Sequence, residues 1–181
     1  MKTRLTELLS IKYPIICGGM FQVGRAELAA AVSEAGGLGI ITSKTQGTPE
    51  RLREEIRKVK SLTDKPFAVN LNLFPSQTAT PNEEFIEVMA EEDVRIVETS
   101  GRSPRPIMPL LKEHDFTVIH KVVGVKHAQS AEKLGVDAIA VVGNETGGHP
   151  GMSDVGTLVV LPRVVDAVDV PVIAGGGFAD G

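Results

Sequence analysis

Short apolar runs alternate along the chain with segments whose apolar residues recur at helical spacing, a rhythm that predicts strands and helices in turn. The runs are Pro14–Gly18, Leu38–Thr42, Pro66–Leu71, Val94–Glu98, Phe116–Val122, Ala138–Val142 and Pro171–Ala174. Most are apolar throughout, whereas a half-exposed antiparallel strand would alternate. A parallel sheet covered on both faces requires the continuous pattern. The helical segments open on readable signals. Thr80-Pro81-Asn82-Glu83 offers a capping threonine, a proline at the first helical position and a glutamate three residues after the cap. Thr48-Pro49 opens another helix, and Ala26–Ala35, Pro106–Glu113, Lys126–Leu134 and Leu158–Val168 complete the set. Gly36 and Gly135 stand where helix C-terminal glycines belong.

A βα unit repeated in this way builds either an open doubly wound sheet or a closed (β/α)₈ barrel. Seven strands are counted before the chain reaches GGGFADG. A barrel takes eight strands and about 250 residues, so the pattern reads as a TIM barrel truncated after strand 7. No linker or shift of composition divides residues 1–181, which predicts a single domain.

Composition narrows the classes of function. The 181 residues are 42% apolar and 23% charged, with a formal net charge of -4. No basic stretch provides the electrostatic footprint of a nucleic-acid surface. The single Cys17 excludes an internal disulfide framework and fits a reducing compartment. The first twenty residues are too interrupted by charge for a signal peptide, and no window reaches the roughly 18 apolar residues of a membrane span. The expectation is a soluble cytoplasmic protein.

In α/β architectures ligands bind beyond the carboxyl ends of the strands. The residues placed there are Gly18-Gly19-Met20, Thr42-Ser43, Asn70 and Asn72, His120-Lys121, Gly143–Gly151 and Gly175-Gly176-Gly177. Strand count puts the triple glycine on the first of the two loops that usually hold phosphate in a barrel, where glycine backbone lets N–H groups approach an anion. Simpler readings stand beside these. Gly18-Gly19 equally fits a tight turn, and Asn70 fits a turn or cap residue. Lys121, amid Val118, Ile119, Val122 and Val123, must reach water or an anion. His114 and His127 read as surface residues, and Glu145 as a brace for the glycine loop. Gly143–Gly151 holds four glycines around His149, more than a turn needs. A histidine there suits proton transfer near neutrality. Metal binding lacks a second histidine at helical spacing and a second cysteine, so no metal ligands are assigned.

Taken in order, Gly18-Gly19-Met20, Gly36-Gly37-Leu38-Gly39, Val69-Asn70, Gly135-Val136-Asp137-Ala138, Glu145-Thr146-Gly147-Gly148-His149-Pro150-Gly151 and Pro171–Gly177 resemble the FMN-dependent nitronate monooxygenases, formerly 2-nitropropane dioxygenases. That family includes flavin-dependent enoyl-acyl-carrier-protein reductases and NAD(P)H:quinone reductases. The resemblance implies a TIM barrel binding FMN noncovalently. It places Gly18, Gly19 and Met20 beside the flavin ring, and Asn70 and Lys121 at its polar atoms or ribityl chain. Gly147 and Gly148 would pass close to the cofactor, Gly175, Gly176 and Gly177 would hold its phosphate, and His149 would be the catalytic histidine. The leading activity it implies is oxidation of alkyl nitronates with O2, on a small-molecule substrate and with homo-oligomerisation open. The alternative is NAD(P)H-dependent reduction of enoyl thioesters or quinones, and the alternative of another class is a non-catalytic flavin- or phosphate-binding module. Val142 stands where many members carry glutamine, and Thr146 where alanine is commoner.

Overall fold

A computed structural model of the chain describes residues 1–75, 81–148 and 154–178. Two compact units divide it, Met1–Val118 and Ile119–Gly181.

The first unit contains α1 (Arg4–Leu9), β1 (Ile16–Cys17), α2 (Ala26–Glu34), β2 (Leu38–Thr42), α3 (Ser43–Gln46), α4 (Pro49–Leu62), β3 (Phe67–Asn72), α5 (Asn82–Glu91), β4 (Ile96–Ser100) and α6 (Met108–Glu113). Its strands are parallel and lie side by side in chain order, β1-β2-β3-β4. That order separates the two candidate folds. A doubly wound sheet reverses direction at a switch point, whereas a (β/α)₈ barrel adds each strand beside the last. The winding is therefore that of the barrel, carried here through its seventh strand.

Burial explains the all-apolar strands: every residue of β2 and β4 is buried. Helix α4 turns Leu52, Ile56 and Val59 onto the sheet, at the spacing of one helical face. Thr48 caps it, its hydroxyl accepting from Arg51 N–H. Its outer face holds Arg53 and Arg57, which both donate to Glu92 at the end of α5 (2.9 and 2.8 Å). Helix α2 has no side-chain cap of its own, and Glu55 of α4 accepts from its Ala26 N–H at 2.6 Å instead.

The second unit carries β5 (Thr117–Val122, which begins just before it), α7 (Val125–Glu132), β6 (Ala138–Val142), α8 (Thr157–Val165) and β7 (Val172–Gly175). β5, β6 and β7 are parallel neighbours, with Lys121 opposite Ala140 and Val142 opposite Gly175. Val160 and Val164 of α8 are buried, while Leu158, Val159 and Val165 stand exposed. Among the described residues no helix is long and apolar enough to cross a membrane.

Sequence expectations move at several elements. Helix α5 begins at Asn82 with Pro81 as its N-cap and no side-chain cap; the expected capping Thr80 lies outside the described residues. β4 runs two residues later than Val94–Glu98, because Val94 N–H closes the end of α5 onto Met89 O, after Asp93 at φ +53°. Helices α1 and α3 went unread. In α1 a threonine, Thr6, fills the capping-box position that glutamate or glutamine usually marks, and α3 spans only four residues.

Gly39 is the tightest approach of helix to sheet. A Cβ built there would lie 2.0 Å from Ala29 O, and Ser33 of the same helix accepts from Gly39 N–H and donates to Pro66 O. Gly39→Ala must push α2 off β2 and is expected to destabilise the protein by about 3 kcal/mol. Denaturant unfolding measures it, and a loss under about 0.5 kcal/mol would show that α2 can shift freely.

Candidate functional site

The later start of β4 places Glu98 inside the strand instead of at its end. In the parallel register Thr42 lies beside Asn70, and Asn70 beside Glu98. In-register neighbours point to the same face, so three polar side chains form a row across β2, β3 and β4. All are buried, at 3%, 4% and 3% exposure. Asn70 Nδ2 donates to Glu98 Oε2 at 2.6 Å and to Ser100 Oγ at 3.3 Å. Gly19 N–H donates to Glu98 Oε2 at 3.3 Å.

A carboxylate only accepts, so Glu98 fixes which way the Asn70 amide points. Asn70 Oδ1 is left without a partner among the described residues. Asn70 is accordingly neither a turn nor a cap residue, the simpler reading its position allowed. Glu98 was missed as a site residue because an acidic residue at the end of an apolar run reads as a strand terminus. Cys17 sits half-buried near it, and burial, followed by the charge of Glu98, pushes its thiol pKa up.

Gly19 is packed against this row: a Cβ there would come within 2.5 Å of Asn70 Cβ. At Gly18 the nearest atom would be 3.8 Å away, so protein packing does not demand glycine there. Met20 is 40% exposed, and its carbonyl accepts from Val23 and Gly24 N–H.

In the second unit Lys121 is half-buried on β5 and His120 is buried, and neither lacks a partner. The loop after β6 is described as far as Gly148; His149 lies outside the described residues. Glu145 is a brace, though to a different element from the one expected. Its Oε2 accepts from Thr157 N–H at 2.8 Å, at the start of α8, and stands 3.2 Å from Thr157 Oγ1. Thr157 Oγ1 also accepts from Gly143 N–H (2.9 Å) and lies 3.1 Å from Gly175 O. One buried threonine thus joins the ends of β6 and β7 to α8. The Thr157 backbone N–H, the largest cause, lowers the pKa of Glu145.

The glycines of this unit divide by their surroundings. Gly143, Gly175 and Gly176 are each crowded: a Cβ would meet Thr157 N at 2.3 Å, Val142 Cγ1 at 2.9 Å and Thr146 N at 2.8 Å. Among the described residues a Cβ at Gly147 would meet nothing within 4 Å, and its backbone is not left-handed. Gly176 and Gly177 (φ +85° and +79°) carry N–H groups that no described residue accepts.

Two outcomes check these contacts. Glu98→Ala removes the acceptor that Asn70 Nδ2 and Gly19 N–H share, leaving Asn70 only Ser100 Oγ, and should cost about 2 kcal/mol in denaturant unfolding; an unchanged midpoint would show that water replaces the carboxylate. For Glu145 the lowered folded pKa means its contribution is present above the ordinary carboxylate value of 4.5 and is lost as pH falls through the lowered value. Glu145→Gln should therefore melt below wild type at pH 7, and the gap should close as pH falls below 4.5 through the lowered value. A gap independent of pH would remove the charge from the brace.

Comparison with known proteins extends the picture. A family model for nitronate monooxygenase matches residues 2–181. The chain is 40% identical over its whole length to a (3aS,4S,5R,7aS)-5-hydroxy-7a-methyl-1-oxo-octahydro-1H-indene-4-carboxyl-CoA dehydrogenase of Rhodococcus jostii, of which it covers 49%. It is 34% identical to a probable nitronate monooxygenase of Staphylococcus aureus, covering 99% of this chain and 62% of that one. Among solved structures, FabK from Thermotoga maritima superposes with a TM-score of 0.91 at 41% identity, over 100% of this chain and 56% of that one. The chain thus spans about half the length of the CoA dehydrogenase it matches.

Proposed function

Because the chain belongs to the nitronate monooxygenase family, we propose that it carries the FMN-binding part of an oxidoreductase that acts on a CoA-type thioester. The observation that carries the flavin is Gly147, a glycine that neither its backbone angle nor packing among the described residues demands, on the loop that leads to His149. The unclaimed N–H groups of Gly176 and Gly177 fit the cofactor phosphate, with Gly175 setting the end of β7 behind them. Gly18 leaves room for a flat ring, Asn70 offers an acceptor held in place by Glu98, and Lys121 brings a cation. Gly19 stays bonded to Glu98, and Met20 and Gly148 border the cofactor.

FMN supplies the reversible two-electron chemistry, and the chain supplies binding, orientation and proton transfer. His149 moves a proton at the carbon next to the substrate's carbonyl, a task suited to a group that titrates near neutrality. The thioester substrate is supported by the CoA dehydrogenase relative, whose identity exceeds that of the nitronate monooxygenase relative, and NAD(P)H is the electron partner in this reading. Oxidation of alkyl nitronates with O2 is the second reading, supported by the family description.

The purified protein should show flavin absorbance, or take up FMN when it is added; a colourless protein indifferent to FMN ends both readings. An enoyl-CoA should be reduced by NAD(P)H faster than a nitronate consumes oxygen, and the reverse order would favour the second reading. His149→Ala should retain the flavin spectrum and lose about 10²- to 10⁴-fold in kcat. Full activity in that variant would exclude His149 as the acid–base group.

A further inference from the structure

A glutamate enclosed in a parallel strand is costly unless its oxygens are met, and those of Glu98 are met in a telling way. Its Oε2 accepts from Asn70 Nδ2 at 2.6 Å and from Gly19 N–H at 3.3 Å. Its Oε1 is the nearest atom to the place a Cβ on Gly18 would take, at 3.8 Å. The carboxylate therefore stands where the uncrowded backbone of Gly18 and the side chain of Asn70 come together.

Asn70 is fully engaged on one side only. Its amide nitrogen donates to Glu98 Oε2 and to Ser100 Oγ, and its backbone carbonyl accepts from Ser43 Oγ at 2.9 Å. Turning the amide over would set Oδ1 against Glu98 Oε2, acceptor against acceptor, so the orientation is locked. The carbonyl end is different. Oδ1 accepts from no described residue, yet it is not sealed in. The enclosed side-chain atoms that lack a partner among the described residues are Gln46 Nε2 and Asn82 Oδ1, so Asn70 Oδ1 reaches open space. A buried asparagine with a purely structural role bonds both ends inside the protein. This one, at 4% exposure, keeps an acceptor facing outward at the carboxyl end of its strand, where ligands of this architecture bind.

A locked acceptor discriminates between the atoms of a ligand. The ring of oxidised flavin carries one N–H, at N3. Its other polar ring atoms, N1, O2, O4 and N5, are acceptors that a fixed Oδ1 repels. Ribityl hydroxyls both donate and accept, so they gain nothing from an amide held in one orientation. We propose that Glu98 is a positioning residue for the cofactor: it holds Asn70 with its carbonyl outward, and Asn70 Oδ1 accepts from the N3–H of FMN. The assignment rests on the FMN reading of the function. Without Glu98, Asn70 turns over or moves aside, and recognition of N3–H is lost while the other cofactor contacts remain.

The test measures binding of FMN and of N3-methyl-FMN, which lacks that N–H, to the flavin-free full chain by fluorescence titration. Wild type should bind FMN about tenfold more tightly than the methylated flavin. Glu98→Ala and Asn70→Ala should bring the two dissociation constants within about twofold of each other, chiefly by weakening FMN. Glu98→Gln, whose amide oxygen can receive both donors, should keep the wild-type ratio. A merely structural Glu98 would weaken both flavins alike, and an unchanged ratio in Glu98→Ala overturns the inference. If that variant does not fold, Glu98→Met keeps the bulk without the carboxylate, and its ratio decides in the same way. Equal binding of the two flavins by wild type also overturns the inference, but leaves the FMN reading standing. Binding of neither flavin ends that reading and the inference together.

Discussion

A carboxylate enclosed between parallel strands has to be met by donors, because an unpaired buried charge costs several kcal/mol. Glu98 is 3% exposed, and its acceptance of the Asn70 amide and the Gly19 N–H ties the first, third and fourth strands of the first unit together at one level. Other local features follow. Gly19 has no space for a side chain, because its backbone must come down onto Asn70. Asn70 cannot flip, and the Glu98 charge adds to burial, the larger cause, in holding the thiol of Cys17 toward its protonated form. The first unit presents a fixed acceptor at Asn70 and an uncrowded backbone at Gly18.

The second unit solves a similar problem with a hydroxyl. Thr157 is fully buried and joins the ends of two strands to α8, with Glu145 receiving the N–H that the start of a helix leaves unpaired. Glu145 therefore does at α8 what no described residue does at α7. One helix opening is satisfied from within the protein, and the other carries Lys126 and His127 and no acidic residue in its first turn. The contrast lies between neighbouring βα units of the same design, which makes the basic opening of α7 a local feature and not a property of the architecture.

The glycines show how much a residue type can conceal. Gly143, Gly175 and Gly176 are required by backbones and side chains that would otherwise collide, whereas nothing in the described residues requires Gly147. All belong to glycine-rich stretches that look alike in sequence. Packing separates those that close the fold from those that leave space for something else.

The sequence by itself determined the βα rhythm, the all-apolar strands and most helix starts. These follow from local rules: a strand buried on both faces has no polar positions to spare, and Thr48 or Gly36 acts within a turn of its own residue. It also placed Asn70, Lys121 and the glycine loops at strand ends, since position after a strand is a one-dimensional property. The pairing of Asn70 with Glu98, the cap that Glu55 gives to α2, and the grip of Glu145 on Thr157 were decided by tertiary structure alone. Each joins residues 12 to 29 positions apart, and a hydrogen bond across that separation depends on strand register, which a shift of two residues in β4 is enough to hide.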